Sequence, residues 1–326
     1  MIVVTGGAGH LGNNLIRRLL AQGETVRCLV LPGEDLRSLD GLEVQRVEGD
    51  VRDLDSLLRA FAGADVAYHM ASVIALIPGR TKLLQAVNVD GTRNVVEACL
   101  RCNVRRLVYT SSIHALVEPA PGTVIDETMP CDPARIPLEY SKSKAAATLA
   151  VLAGVRRGLD AVILSPTGII GPYDFRPSEM GRLFVSFSQG RMRAYVDGAY
   201  DFVDCRDVVA GHIAAAARGR TGENYILSGE LVTVRQLLAQ LAEVTGRPAP
   251  RLRLPWWAAS AAAALATGYS RLTGTATLLS WDALYTLRSN SLVSHAKASR
   301  ELGYRPRPLR ESIADTVRWL QAAGMC

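Results

Sequence analysis

Tyr140 and Lys144 lie four positions apart in the run Tyr140-Ser141-Lys142-Ser143-Lys144, a spacing that puts both on one face of a helix. A free phenol ionises at about pH 10, and a neighbouring ammonium stabilises the phenolate, so the pair predicts a tyrosine tuned toward working pH. Such a tyrosine can pass a proton to or from a carbonyl or hydroxyl oxygen while a hydride moves. A second group, Thr5-Gly6-Gly7-Ala8-Gly9-His10-Leu11-Gly12, follows the β-branched run Ile2-Val3-Val4-Thr5 and opens a helical pattern. Gly6 permits a tight turn, Gly9 lets the backbone approach a pyrophosphate, and Gly12 lets the helix pack closely on the sheet. The helix N-terminus then faces the negative charge. The third group, Tyr109-Thr110-Ser111-Ser112, ends another apolar run, where a hydroxyl can bond a substrate oxygen and stabilise developing charge.

These groups need a scaffold, and the hydrophobic pattern supplies one. Residues 2–5, 26–31, 44–47, 65–69, 107–110 and 161–164 read as short strands, separated by helical patterns at 11–20, 53–63, 83–102 and 138–157. Strands that are continuous apolar runs alternating with helices indicate a parallel sheet covered on both faces. Right-handed crossovers then give an α/β, Rossmann-like doubly wound parallel sheet, with ligands at the carboxyl ends of its strands. After Gly168 the rhythm breaks. Residues 171–193 read as irregular, 195–203 as containing a short strand, and 204–218 as a helix with Asp204 as N-cap. Residues 224–227 read as a returning strand, and 234–245, 256–267 and 309–322 as helices. The expected division is a Rossmann domain of 1–168 and 200–228, with 169–199 and 229–326 forming a smaller C-terminal substrate lobe.

Composition narrows the function classes. The chain of 326 residues is 48% apolar and 21% charged, the make-up of an ordinary globular protein. Its net charge of +6 comes mostly from scattered arginines, the lysines being Lys82, Lys142, Lys144 and Lys297. Without a basic stripe interleaved with aromatics, no nucleic-acid partner is expected, and an anionic cofactor or phosphorylated substrate accounts for the charge. Cys28, Cys99, Cys102, Cys131, Cys205 and Cys326 are spread out; Cys99 and Cys102 lack a second pair, so no metal site is expected. A strand starting at the first residue leaves no room for a signal peptide. The most apolar later stretch, residues 255–268, is shorter than the roughly 20 residues that span a bilayer. A cytoplasmic protein with no transmembrane segment is the expectation.

TGGAGHLG, Gly49-Asp50 after the third strand, His69-Met70-Ala71-Ser72 after the fourth, Asn88-Val89-Asp90-Gly91-Thr92 in the long helix, YTSS and YSKSK occur in one order. In this order they resemble the extended short-chain dehydrogenase/reductase superfamily, along essentially the whole chain. The resemblance implies Tyr140 as general acid/base, Lys144 holding ribose hydroxyls, and Ser112 rather than Ser111 orienting the substrate oxygen. It places Gly6, Gly9, His10, Leu11, Gly12, Asp50, Val51, Met70, Ala71, Ser72 and Asn88 along a nicotinamide cofactor, with Asp50 at the adenine. The turn Pro166-Thr167-Gly168-Ile169 would approach the nicotinamide. Homodimerisation through the long helices at 83–102 and 138–157 is a further implication. At the second strand end stands Leu31, with Arg37 in reach of a 2′-phosphate and Glu34 or Asp35 in reach of a ribose hydroxyl, and the lean is to NADP(H) over NAD(H).

Within the superfamily, Tyr109-Thr110-Ser111-Ser112-Ile113 and Gly168-Ile169-Ile170-Gly171-Pro172-Tyr173-Asp174 resemble the dihydroflavonol 4-reductase and 3β-hydroxysteroid dehydrogenase-like branch. The implied substrate is a small ketone, aldehyde or secondary alcohol. The alternative is a nucleotide-sugar epimerase. Those enzymes usually carry an arginine just before the stretch matching Asp201-Phe202-Val203-Asp204, where it clamps a diphosphate; here that position is Tyr200. A guanidinium is hard to replace in that task, although Arg182, Arg191 and Arg193 are nearby in sequence. Dehydratases place an acidic pair where Ile113 and His114 follow Ser112, and His114 reads as a packing or hydrogen-bonding residue. Non-catalytic NAD(P)-sensing regulators on this fold typically lose the Tyr/Lys pair, which is kept here. The apolar helix from Trp256 to Gly268 reads as packing within the lobe, with a hydrophobic lid or membrane-surface contact as the sharper hypothesis.

Overall fold

The computed structural model describes the backbone of residues 1–74, 81–273 and 281–326, with side chains described outside 268–280. It opens with β1 (Ile2–Thr5), α1 (His10–Leu20), β2 (Val26–Val30), β3 (Gln45–Glu48), α2 (Leu54–Phe61) and β4 (Val66–His69). Next come α3 (Thr81–Leu84), α4 (Gly91–Arg101), β5 (Arg106–Thr110), α5 (Glu139–Arg156) and β6 (Ala161–Pro166). Then follow β7 (Gly168–Ile170), α6 (Glu179–Ser188), β8 (Ala194–Val196), β9 (Ala199–Asp204), α7 (Cys205–Arg218) and β10 (Asn224–Leu227). The chain ends with β11 (Glu230–Thr233), α8 (Val234–Thr245), β12 (Leu252–Leu254), α9 (Trp256–Thr273), α10 (Trp281–Arg288), α11 (Ala296–Leu302) and α12 (Leu309–Ala322).

Seven strands form one parallel sheet in the order β10-β6-β5-β4-β1-β2-β3. Side chains alternate across a strand, so neighbours in sequence enter opposite cores. Val4 packs with Leu15, Ile16, Val208 and Val209 beneath α1 and α7. Val3 packs with Leu57, Phe61, Val95 and Val151 beneath α2, α4 and α5. This is the expected doubly wound sheet. The chain runs outward from β1 to β3, then returns to β4 on the other side of β1, which leaves a crevice between the carboxyl ends of β1 and β4.

A second sheet, β11-β9-β7, packs against α6, α8 and α12 through Phe184, Phe187, Leu237, Leu241, Ile313 and Val317. Residues 199–204 therefore belong to this smaller sheet, while α7 and β10 complete the large one. The helix expected at 83–102 contains a wider-turned stretch, Gln85–Asp90; such a bulge depends on tertiary packing and leaves no mark on apolar spacing. The region expected to be irregular contains α6, capped by the Ser178 hydroxyl, which accepts from the Gly181 N–H at 3.1 Å. Asp53 and Asp204 cap α2 and α7 as expected.

Candidate active site

The crevice is bounded by the glycine loop. Gly6 has φ +73°, and a Cβ there would lie 2.6 Å from the Ala71 nitrogen. A Cβ on Gly12 would lie 2.1 Å from the Gly6 carbonyl oxygen, so the turn and α1 touch through bare backbone. Gly9 is the N-cap of α1, no side chain caps that end, and its first turn contains no acidic residue. Those free amide groups suit an anion, and the residues present therefore fit a coenzyme pyrophosphate. Leu11 packs toward the core. His10 turns away to Pro172, whose carbonyl oxygen lies 3.0 Å from its Nε2. Asn13 and Asn14 donate to the carbonyls of Tyr173 and Pro172 at 3.0 and 3.1 Å, and the Arg17 guanidinium lies over the Tyr173 ring. The loop after β7 is thus bound to the helix behind the glycine turn.

At the adenosine end, Leu31 is exposed beyond β2. Arg37 is exposed and holds Asp35 through Nη2 at 2.7 Å, and Glu34 pairs with Arg176 at 2.8 Å. Asp50 is held by Arg52, whose guanidinium keeps the carboxyl below the usual carboxylate range. Val51 is buried on Gly91.

Along the other arm, the Met70 N–H donates to the Thr5 carbonyl at 3.1 Å, and the Ala71 N–H lies 3.3 Å from the Thr5 hydroxyl. The resemblance puts Asn88 along the coenzyme, and its side-chain amide is engaged within the protein. Its oxygen accepts from Ser72 Oγ at 3.2 Å and the Val73 N–H at 2.8 Å, and its nitrogen donates to the Val73 carbonyl at 3.0 Å and Ser143 Oγ at 2.9 Å. Asn88 fastens the segment that follows β4 to α5 at Ser143, three residues beyond Tyr140. The turn after β6 is equally engaged. Pro166 ends the strand, Thr167 donates to Asp201 Oδ1 at 2.6 Å, Gly168 abuts the rings of Tyr200 and Phe202, and Ile169 packs on the core.

Tyr140 opens α5 and faces the end of β5. Ser111 is engaged elsewhere, 2.7 Å from the Thr148 hydroxyl. Ser112 is the β5 serine that acts on the phenol: its hydroxyl and that of Ser72 pull the Tyr140 pKa down, but burial outweighs them and pushes it up to about 12. The expected lowering by Lys144 is therefore not what this arrangement shows. The Lys144 ammonium is buried, donates to the Thr110 carbonyl at 2.6 Å and lies over the Tyr109 ring, and burial pushes its pKa down to about 7.

A stability prediction follows from that shift. Between about pH 7 and the ordinary lysine range, the unfolded chain carries a proton on Lys144 that the folded chain has shed. The unfolded state binds more protons there, so stability rises with pH, by up to about 1.4 kcal/mol per unit from this group. Urea midpoints measured from pH 7 to 9 should climb more steeply for the wild type than for Lys144→Met. Parallel curves would contradict the assignment.

Beside Ser112 a short turn carries His114, whose Nε2 lies 2.7 Å from the Tyr200 hydroxyl. Burial holds His114 neutral, pushing its pKa down to about 4. The hydrogen-bonding reading of this histidine matches what is seen; the identity of its partner was not legible. Both residues line a cavity of about 220 Å³, together with Ile113, Leu116, Ile125, Ile136 and Val293. Arg135 is a cationic residue of this wall, which does not include Arg182, Arg191 or Arg193. Asp201 is a site residue that sequence reasoning did not single out. It lines the same cavity and accepts from Thr167 and the Gly229 N–H, and burial raises it to about 6. Its signal was an acidic residue inside an apolar strand.

Comparison with known proteins agrees with this geometry. The chain is 39% identical to sterol demethylase protein B of Methylococcus capsulatus, over 99% of each protein. It is 31% identical to a 3 beta-hydroxysteroid dehydrogenase/Delta 5-->4-isomerase of Mycobacterium tuberculosis, over 94% of this chain and 86% of that one. The crystal structure of gox2253 superposes with a TM-score of 0.87 at 31% identity, covering 100% of this chain and 99% of the other. The sequence model of the NAD dependent epimerase/dehydratase family matches residues 2–228. With a glycine turn, a helix N-terminus and a Tyr/Lys helix gathered at the switch point of its sheet, the chain belongs to that family, the extended short-chain dehydrogenases/reductases.

Proposed function

We propose that this oxidoreductase transfers a hydride between a nicotinamide coenzyme and a ketone or aldehyde, or a secondary alcohol in the reverse direction, on a substrate without a nucleotide. The observation that carries this reading is the wall beside Tyr140 and Ser112. Where nucleotide-sugar enzymes use a guanidinium, this cavity has a tyrosine bonded to a neutral histidine, with Ile113, Leu116, Ile125, Ile136 and Val293 on the wall beside polar residues such as Asp201, Ser289 and Asn290. Such a wall, with aliphatic residues and the carboxyl groups of Glu118 and Asp201 and no arginine at the Tyr200 position, suits a carbonyl compound with an apolar body better than a diphosphate. The steroid compounds in the names of two relatives point the same way.

The coenzyme, when bound, supplies or accepts the hydride. Gly6, Gly9 and Gly12 would pass its pyrophosphate close to the α1 amides, and Lys144 would hold ribose hydroxyls. Tyr140 gives its phenolic proton to the carbonyl oxygen as charge builds there, and Ser112 donates a hydrogen bond to the same oxygen. A phenol held protonated by burial is in the correct state to act as the acid.

The test is nicotinamide absorbance followed against a panel of apolar ketones, aldehydes, secondary alcohols and sugar nucleotides. Turnover of a non-nucleotide carbonyl or alcohol supports the reading. Conversion of a sugar nucleotide without net change of coenzyme would replace it with the epimerase.

For the coenzyme we favour NADP(H), on the exposure of Arg37 and the absence of a carboxylate at Leu31. Binding a 2′-phosphate would exchange Asp35 for a stronger acceptor. Arg37→Gln should weaken NADP(H) binding roughly tenfold or more and leave NAD(H) unchanged, as measured by calorimetry. Tighter binding of NAD(H) by the wild type would remove this preference. A homodimer formed through α4 and α5 is also proposed, and light scattering tests it.

A further inference from the structure

The surface of α9 is unusual for a helix at the outside of a protein. Trp257, Ala261, Ala264 and Leu265 recur at helical spacing on its exposed side, with Trp257 76% and Leu265 77% exposed. The opposite side packs Ala259 and Ala263 on Val196 and on Leu284 of α10. Both faces are therefore apolar, whereas a helix at the surface normally turns polar side chains to water. Trp281, at the start of α10, is a further exposed aromatic. Single exposed apolar residues need no explanation; a contiguous set of large ones does. Among the described residues, no helix is long and apolar enough to cross a membrane.

The sequence that enters and forms α9 carries charge of one sign, while beside it Asp197 pairs with Arg253 at 2.7 Å and Asp282 follows Trp281 in α10. From Val244 to Ser280 the sequence carries four arginines and no acidic residue. Arg251 stands in the segment that leads into α9, is exposed, and makes no ion pair among the described residues. The Arg288 guanidinium lies over the ring of Trp256. A second copy meeting this surface about a two-fold axis would set arginine against arginine, whereas a surface of lipid phosphates complements it.

We propose that α9 and the segment entering it dock on an anionic phospholipid bilayer, with Trp257 and Leu265 seated at the headgroup–acyl boundary and arginines at the phosphates. α10, which packs on α9, also carries Tyr285 into the cavity wall. The docked face therefore adjoins the cover of the substrate cavity.

The test is flotation of the full chain with vesicles of phosphatidylcholine alone and of equimolar phosphatidylcholine and phosphatidylglycerol. The wild type should float with the mixed vesicles and stay behind with the neutral ones. Trp257→Ser combined with Leu265→Ser should weaken binding at least roughly tenfold, as should Arg251→Glu, and both variants should keep the wild-type thermal midpoint because these side chains are exposed. A wild type that floats with neither vesicle, or a well-folded double variant that floats as well as the wild type, overturns the proposal. So does a wild-type dimer that the double variant dissolves while no vesicle is bound, because the occupant would then be a second copy.

Discussion

Tyr140→Phe should reduce turnover of the carbonyl substrate by roughly a hundredfold to ten-thousandfold while leaving coenzyme affinity unchanged. Only the hydroxyl is removed. The ring keeps its place at the start of α5, because that helix is fixed to β5 through Lys144 and Thr110 and to the segment after β4 through Asn88 and Ser143. What disappears is the proton delivered to the substrate oxygen. The loss should therefore fall on kcat, with the coenzyme dissociation constant, measured by fluorescence titration, as the control. A Tyr140→Phe enzyme with near wild-type kcat would assign the proton transfer to another group, and His114 or Asp201 would then be the residues to change next.

Gly12→Ala should have an effect of comparable size by a different route. The added carbon would sit 2.1 Å from the Gly6 carbonyl and 2.7 Å from the Gly7 Cα. Both are backbone, with no flexible end to yield, so either α1 moves off the sheet or the turn opens. Overpacking of this severity should cost about 3 kcal/mol, and a shift of α1 would also move its N-terminus from the turn that would present the pyrophosphate. Urea unfolding and calorimetric titration with coenzyme should both register the change. Gly23→Ala, at a left-handed turn with open space around it, is a useful contrast: it should cost some stability and leave coenzyme affinity alone.

Features written in consecutive residues were legible in the sequence. The glycine turn, the β5 serines and the Tyr140–Lys144 pair each lie within one strand end or one helix turn, and local spacing defines them. The doubly wound parallel sheet followed from alternation and handedness. Features made by the tertiary fold were not legible. His114 and Tyr200 are 86 positions apart, and their pairing depends on β9 crossing beneath the cavity. The phenol pKa moves against expectation because burial, which no spacing reveals, exceeds the charge effect that spacing does suggest. Asn88 matched a family position, while its four hydrogen bonds, to Ser72, Val73 and Ser143, were not legible because those residues lie in two other segments. For α6 the signal was present: Ser178 stands before Glu179, and Phe184 and Phe187 follow at helical spacing, but the surrounding prolines and glycines obscured it.

The tie between α1 and the loop at Pro172 and Tyr173 has a mechanical consequence. Three side chains of the helix that receives the coenzyme grip the chain as it leaves for the substrate lobe. The same three contacts mean that α1 cannot move off the sheet without either breaking them or pulling on the span at Pro172 and Tyr173 where the substrate lobe begins.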